Sequence, residues 1–345
     1  MKKIYFIRRN KTIFGGAENY LSRLVTTLKK DQIDCELIYG NLPKWLPSWL
    51  KALLFNFKVN RIKKDKFYFS LERISHPDIY RAGDGVHKVY MKIKQSYLNP
   101  TNWVYCFLEK RCFNNAKLII ANSHFIKKQL IETYHINPNK IKIIYNGIKL
   151  KPYDHNQAKQ KLLSEFPQIN NKKILLFIGN DFKRKGVDIF LTILSQLKSD
   201  QFHGFIIGKD KKIAHYKELA KKLKLENHVT FTGLRSDVDD FYTLSDIFLF
   251  PPRYEPFSNV VLEALSFKNV TFTSNNNGAS EALTDPSYII TDTNHHEISE
   301  KIDLLLTDEM LLTKEKERAF EQVKNFTIEK NAKETIDAIL PFLNN

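Results

Sequence analysis

A chain of 345 residues suffices for two domains of ordinary size, and 43% hydrophobic content lets both bury a core. Three cysteines, Cys35, Cys106 and Cys112, are too few and too irregularly placed for a disulfide framework or a zinc site, which points to a reducing, cytosolic setting. Charge is uneven: residues 1–150 carry 28 Lys and Arg against 10 Asp and Glu, whereas the remaining 195 carry 26 against 28.

A half so basic is drawn to a polyanion such as nucleic acid, an acidic lipid surface or a phosphorylated glycan. A lysine-rich proteome is the plainer explanation, but it would act on both halves. No helix-turn-helix, zinc or RNA-recognition signature accompanies the charge, so nucleic acid is not the expected partner.

The start, MKKIYFIRRNK, has four apolar residues before Arg8 and Arg9 interrupt it, and so reads as a first strand over residues 3–7 rather than a signal peptide. Phe14-Gly15-Gly16 is a turn, and a helix follows with Ala17, Leu21, Leu24, Val25 and Leu28 on one face. Residues 35–39 form the next strand, and residues 41–70 give no clear pattern. A strand at 117–121, a helix near 125–134 and a strand at 142–145 close a first domain, residues 1–150. No apolar run anywhere reaches the length of a membrane span.

Residues 151–171 are polar, contain two prolines and show no sustained period; they read as a linker. A second alternating series then fills residues 172–325. Strands are expected at 173–178, 204–207, 229–232, 247–250 and 270–273, with helices at 186–197, 214–223, 238–244 and 259–267. Residues 326–345 form a C-terminal helix that could cross back to the first domain. The fold class is α/β, with two similar doubly wound domains facing across a cleft.

Ligands of open parallel sheets bind where loops leave the carboxyl ends of strands, and three such loops have unusual composition. Gly15 and Gly16 follow the first strand, where paired glycines admit close approach of an anion to a helix start, although Gly-Gly is equally an ordinary turn. Lys183-Arg184-Lys185 follows the strand at 173–178. It lacks the glycine spacing of a P-loop, yet three cations there can neutralise a diphosphate without a metal.

The third loop reads RYEPFSNVVLEALSF, from Arg253 to Phe267. Ser258 is placed as a helix N-cap, which leaves Glu255 in the loop and Glu263 inside the helix, their carboxylates roughly 10 Å apart. A nucleotide sugar has that order of size. Backbone N–H groups of residues 257–260 would face its phosphates, and a carboxylate suits a vicinal diol. The acidic run Asp237–Asp240 reads as an acidic helix start, not a metal site.

These residues resemble the retaining glycosyltransferases of family four, whose architecture is GT-B. Their marker, two glutamates separated by seven residues, fits Glu255 and Glu263. The likeness extends through Gly15-Gly16, the run at 143–148, the cationic loop, the segment at 232–238 and the NNGASEAL stretch after Asn275. Within the family the chain looks most like the glucosyltransferase that acts on heptose in the lipopolysaccharide core, on GNDFKRKGVD and RAGDGVHK.

The resemblance implies that Arg184 and Lys185 bind the donor diphosphate, that Glu263 binds the ribose, and that Glu255, with the backbone of Phe257, Ser258 and Asn259, holds the sugar and phosphates. It implies that Asp84, or its neighbour His87, approaches the reacting centre. Ser258 stands where many relatives have glycine, which leaves the hexose open. The expected donor is a UDP-sugar and no metal or other cofactor is expected. The expected acceptor is an anionic glycolipid, with the enzyme cytoplasmic and peripheral on the inner face of the membrane. The alternative is a soluble or capsular acceptor. Residues 44–58, rich in tryptophan, phenylalanine and lysine, suit an acidic membrane surface, and equally a core helix of the first domain.

Overall fold

The computed structural model describes residues 2–10, 16–30, 32–43 and 45–343. It divides into two compact units, one running to Gly147 and resuming at Ile328, the other spanning Ile148–Thr327.

In chain order the first unit contains β1 (Ile4–Arg8), α1 (Gly16–Lys30), β2 (Cys35–Tyr39), α2 (Ser48–Arg61), β3 (Phe67–Ser70) and β4 (Ile79–Ala82). There follow α3 (His87–Ile93), α4 (Pro100–Asn115), β5 (Leu118–Ala121), α5 (His124–Tyr134) and β6 (Ile141–Ile143). Its sheet has the order β2-β1-β3-β4-β5-β6, and every pairing is parallel.

Strand β3 falls in the stretch 41–70 that showed no clear pattern, and β4 in a later stretch to which no element was assigned. All residues of both are buried, so neither shows the alternation that marks a half-buried strand. Arg81 further disguises β4. Its guanidinium is buried against the Tyr20 ring at 3.8 Å and donates to Asn146 Oδ1 at 2.7 Å.

The second unit contains α6 (His155–Glu165), β7 (Lys173–Ile178), α7 (Phe182–Lys185), α8 (Val187–Leu194), β8 (Phe202–Ile207), α9 (Ile213–Lys222) and β9 (Val229–Gly233). After these come α10 (Val238–Leu244), β10 (Ile247–Phe250), α11 (Asn259–Ser266), β11 (Val270–Ser274), β12 (Ile289–Ile290), α12 (His295–Thr307) and α13 (Glu309–Val323). The strand order is β12-β11-β10-β7-β8-β9, again all parallel. Chain direction across the sheet reverses between β7 and β10, so the loops leaving these two strands flank a crevice.

The expected linker is corrected by α6. Asp154 caps it, its carboxylate accepting from the backbone N–H groups of Asn156 at 2.9 Å and Gln157 at 3.1 Å. Only Ala158 and Leu162 are buried, and the helix lies against α10. So narrow an apolar stripe gives the sequence almost no periodicity.

The last helix, α14 (Ile328–Leu343), belongs to the first unit. Its Ile336, Ile339 and Leu343 share a core with Leu21, Leu24 and Leu28 of α1. Tyr20 and Thr335 hydroxyls meet at 3.4 Å, and Asn331 donates to the carbonyl of Tyr145 at 2.5 Å.

Candidate active site

The reversal point of the second sheet brings three of the anticipated side chains to one place. After β7 the chain turns through Asp181, which has φ +60°, into the single turn of α7. Gly186 ends that turn at φ +80°, and a Cβ there would lie 1.9 Å from the carbonyl oxygen of Pro251 in the loop after β10. Only glycine lets the two loops approach so closely. They are also joined by a backbone bond from Arg253 N to Arg184 O at 2.8 Å, and by Arg253 donating to both Asp188 oxygens at 2.7 and 2.6 Å.

In this frame a single Glu255 oxygen, Oε2, accepts from Arg184 Nη1 at 2.7 Å and from Lys185 Nζ. Arg184 also donates from Nε to Asp181 at 3.1 Å, and Lys185 Nζ lies 5.0 Å above the Phe250 ring. Burial pushes the Lys185 ammonium below its ordinary pKa despite Glu255. Burial opposes the Arg184 charge too, but there Glu255 and Asp181 outweigh it and the pKa is raised. Lys183 is exposed, so the three-cation loop supplies two converging cations rather than three.

Glu255 is held from behind. Its backbone N–H donates to Asn276 O at 2.9 Å and its carbonyl accepts from Gly278 N at 3.0 Å. Asn277 is fully buried, and its Oδ1 accepts from Ser258 N at 3.3 Å and Ala279 N at 3.1 Å, while Nδ2 donates to Thr273 Oγ1 at 2.9 Å. Ser258 occupies the N-cap position of α11, but its side chain makes no capping bond. Phe257 and Ser258 are buried.

The glutamate inside an apolar stripe has a simple account. Glu263 is the one residue from 261 to 267 that is not buried. Its Oε2 accepts from the hydroxyl of fully buried Tyr242 at 3.2 Å. Burial, reinforced by the Glu263 charge, raises the Tyr242 phenol well above its usual pKa, which keeps it a donor. Nothing in the sequence marked Tyr242, because its spacing reads as ordinary core.

In the first unit, Asp84 is exposed in the turn between β4 and α3. His87 opens α3 with its ring taken up locally. Nε2 is 3.0 Å from Asn102 Oδ1, and the ring packs edge-on against Tyr105 at 5.0 Å. Burial, then the Arg73 charge, lowers its pKa. Gly16 is the first residue of α1, and Gly15 lies outside the described residues.

Comparison with known proteins gives a concordant answer. A family model described as "Glycosyl transferases group 1" matches residues 159–326, and one described as "Glycosyltransferase Family 4" matches residues 79–151. The chain is a glycosyltransferase of the GT-B fold.

It is similar to the N-acetylgalactosamine-N,N'-diacetylbacillosaminyl-diphospho-undecaprenol 4-alpha-N-acetylgalactosaminyltransferase of Campylobacter jejuni, with 25% identity over 315 residues, 89% of this chain and 76% of that one. It is 30% identical over 143 residues to the lipopolysaccharide glucosyltransferase WaaG of Escherichia coli, 39% of this chain and 37% of that protein. A crystal structure of WaaG superimposes with a TM-score of 0.80 over 98% of this chain and 99% of that one, at 19% identity, a likeness of fold. Anabaena Alr3699/HepE in complex with UDP-glucose matches with a TM-score of 0.73, covering 98% and 99%, also at 19% identity.

In this glycosyltransferase the acidic run after β9 is committed to ion pairs. Asp237 meets Arg235 and Lys161, Asp239 meets Lys151, and Asp240 meets Lys161. Among the described residues no group of three His, Cys, Asp or Glu is arranged to hold a metal ion, and no helix is long and apolar enough to cross a membrane.

Proposed function

We propose that this glycosyltransferase moves a hexose from a UDP-sugar to a glycan carried on membrane lipid, with retention at the anomeric carbon. The observation that carries the donor half is the convergence of Arg184 and Lys185 on Glu255 beside the amino end of α11. A leaving diphosphate calls on the same two cations as Glu255 does. Donor entry therefore exchanges one anion for another, and releases Glu255 to accept from sugar hydroxyls.

Bond cleavage places growing negative charge on the β-phosphate. Two preorganised cations and the positive end of the α11 dipole oppose it without reorganising. Glu263, open at its helix position and oriented by Tyr242, takes the ribose diol. The leaving phosphate, on the same face as the incoming hydroxyl, accepts its proton. No carboxylate then needs to become covalently bound, unlike a retaining hydrolase. Asp84 is assigned to the acceptor hydroxyl in preference to His87, whose Nε2 already meets Asn102.

The acceptor half rests on the surface of the first unit. α2 packs on α4, and the pair leaves Phe57, Trp103 and Phe107 exposed, with Trp45 and Leu98 in adjoining loops. Lys58, Lys110 and Arg111 on the same two helices are exposed. Aromatic rings interleaved with cations suit the boundary of an acidic bilayer. Within the segment at 44–58, Ala52 and Phe55 are core while Phe57 is exposed, so the core helix also has an outer face to offer a membrane. Two relatives named above act on lipid-linked or lipopolysaccharide acceptors.

Thermal unfolding with a panel of nucleotide sugars tests the donor. One uridine diphosphate sugar should raise the midpoint, and Lys185→Ala and Glu263→Ala should each remove the rise. Retention of the rise in both variants would refute the site.

A further inference from the structure

A cavity of about 190 Å³ opens within the first unit, lined in part by Arg8, Arg9, Arg73, Asp84 and Tyr105. In the order β2-β1-β3-β4-β5-β6 the chain reverses between β1 and β3, and Arg8 and Arg9 stand at the carboxyl end of β1. The cavity is thus that sheet's own switch point, the place where an open parallel sheet binds ligands. It is smaller than the roughly 300 Å³ at which sites for drug-sized ligands begin, so it suits one sugar ring rather than a whole nucleotide sugar.

Its charges are unequally satisfied. Arg8 donates to Glu72 Oε1 at 3.0 Å. Arg73 donates to Glu109 Oε1 and to the Gly85 carbonyl, both at 2.9 Å. Arg9 differs: among the described residues its guanidinium meets no carboxylate, and lies over the Tyr105 ring at 5.4 Å. Asp84 makes no side-chain hydrogen bond among the described residues, although its charge acts on Arg73.

We propose that this cavity receives one anionic sugar residue of the acceptor, its phosphate or carboxylate on Arg9 and a hydroxyl on Asp84. The inference deepens the acceptor half of the proposed function and rests on it. A guanidinium stacked on an aromatic ring keeps its planar fork of donors, which matches phosphate or carboxylate two bonds at a time. A neutral sugar filling the same space would strip water from Arg9 and supply no counter-charge, which is costly. The cavity therefore discriminates by charge as well as shape.

Isothermal titration of the full chain with glucose 6-phosphate, glucuronate, glucose, inorganic phosphate and UDP tests this. At least one of the two anionic sugars should bind, and which one binds names the anion; glucose should not. Arg9→Ala should weaken that binding roughly tenfold to a hundredfold, the worth of a charge-assisted hydrogen-bond pair. Tyr105→Leu, which keeps apolar bulk, should weaken it less, and UDP affinity should stay unchanged in both. Asp84→Asn should weaken the sugar but not inorganic phosphate.

The proposal fails if glucose binds as well as the anionic sugars, if neither anionic sugar binds, or if Arg9→Ala is indifferent. It also fails if Arg9→Ala abolishes UDP binding, which would make the cavity part of the donor site. Lys185→Ala separates the two readings, since it should lose UDP and keep the anionic sugar. A wild-type chain that ignores UDP yet binds the sugar through Arg9 would defeat the donor site alone.

Discussion

The two units have closely related six-stranded parallel sheets, yet their switch points are finished differently. In the second unit Arg184 and Lys185 are already matched by Glu255, and the loops are locked by Gly186 against Pro251, by Arg253 on Asp188 and by buried Asn277. In the first unit Arg9 and exposed Asp84 stand without such partners among the described residues, and aromatic rings lie open on α2 and α4. A rigid, charge-balanced pocket suits one invariant ligand that must be bound and then activated. A surface with surplus cations and exposed rings suits a larger, anionic partner that brings its own compensation.

The largest effect that would break this contrast is on turnover. Lys185→Ala should lower kcat by roughly 10² to 10³, as loss of a preorganised charge partner does. Steady-state assay with the donor found by the unfolding screen measures it; a change under threefold would mean the second pocket is not where charge develops.

Next comes rigidity. Gly186→Ala should destabilise the chain by about 3 kcal/mol, because strain at positive φ adds to a collision with backbone. Gly233→Ala makes the control: φ is +75° but nothing lies within 4 Å of a new Cβ, so about 1 kcal/mol is expected. Urea unfolding of both compares them, and equal losses would show that loop contact contributes nothing.

A smaller effect depends on pH. Burial, with Lys172 and His228 nearby, lowers the His203 pKa from 6.5 to about 4, so the neutral ring is the one the fold accepts. Nε2 meets Thr230 Oγ1 at 2.8 Å, while Nδ1 is buried without a partner among the described residues. The unfolded chain binds the extra proton first, so the stabilisation is complete above pH 6.5 and drains away as pH falls toward 4. Its size is on the order of 2 kcal/mol. His203→Phe should flatten stability against pH across that window, and an unchanged slope would contradict the assignment.

The smallest effect sharpens the account of the first unit. Trp103→Ser and Phe107→Ser should each weaken cosedimentation with acidic vesicles by ~1 kcal/mol, with salt weakening what remains. Neutral vesicles binding equally well would remove the electrostatic part.

Much of the second unit was legible because its strands are apolar runs that stop at turn residues, Gly179 after β7 and Pro251 after β10. The strands at 173–178 and 247–250 and the helix at 238–244 coincide with β7, β10 and α10. β3 and β4 were not, the second because Arg81 interrupts its apolar run, and neither was α6, whose apolar face is two residues wide. Of the site, the glutamate spacing and the cationic loop were visible, but their meeting was not, since residues 70 and 71 positions apart have no local rule that pairs them.

By itself, the sequence determined the alternation of strands and helices, the surplus of cations before residue 150, and a carboxylate set inside the buried stripe of α11. These are properties of neighbours along a chain, or of simple sums. Tertiary structure alone decided that one Glu255 oxygen serves two cations, that Tyr242 and Asn277 brace the two sides of that site, and that Arg9 is left facing a cavity. The reason is that charge compensation and close backbone approach are set by distance in space, which strand order fixes and residue order does not.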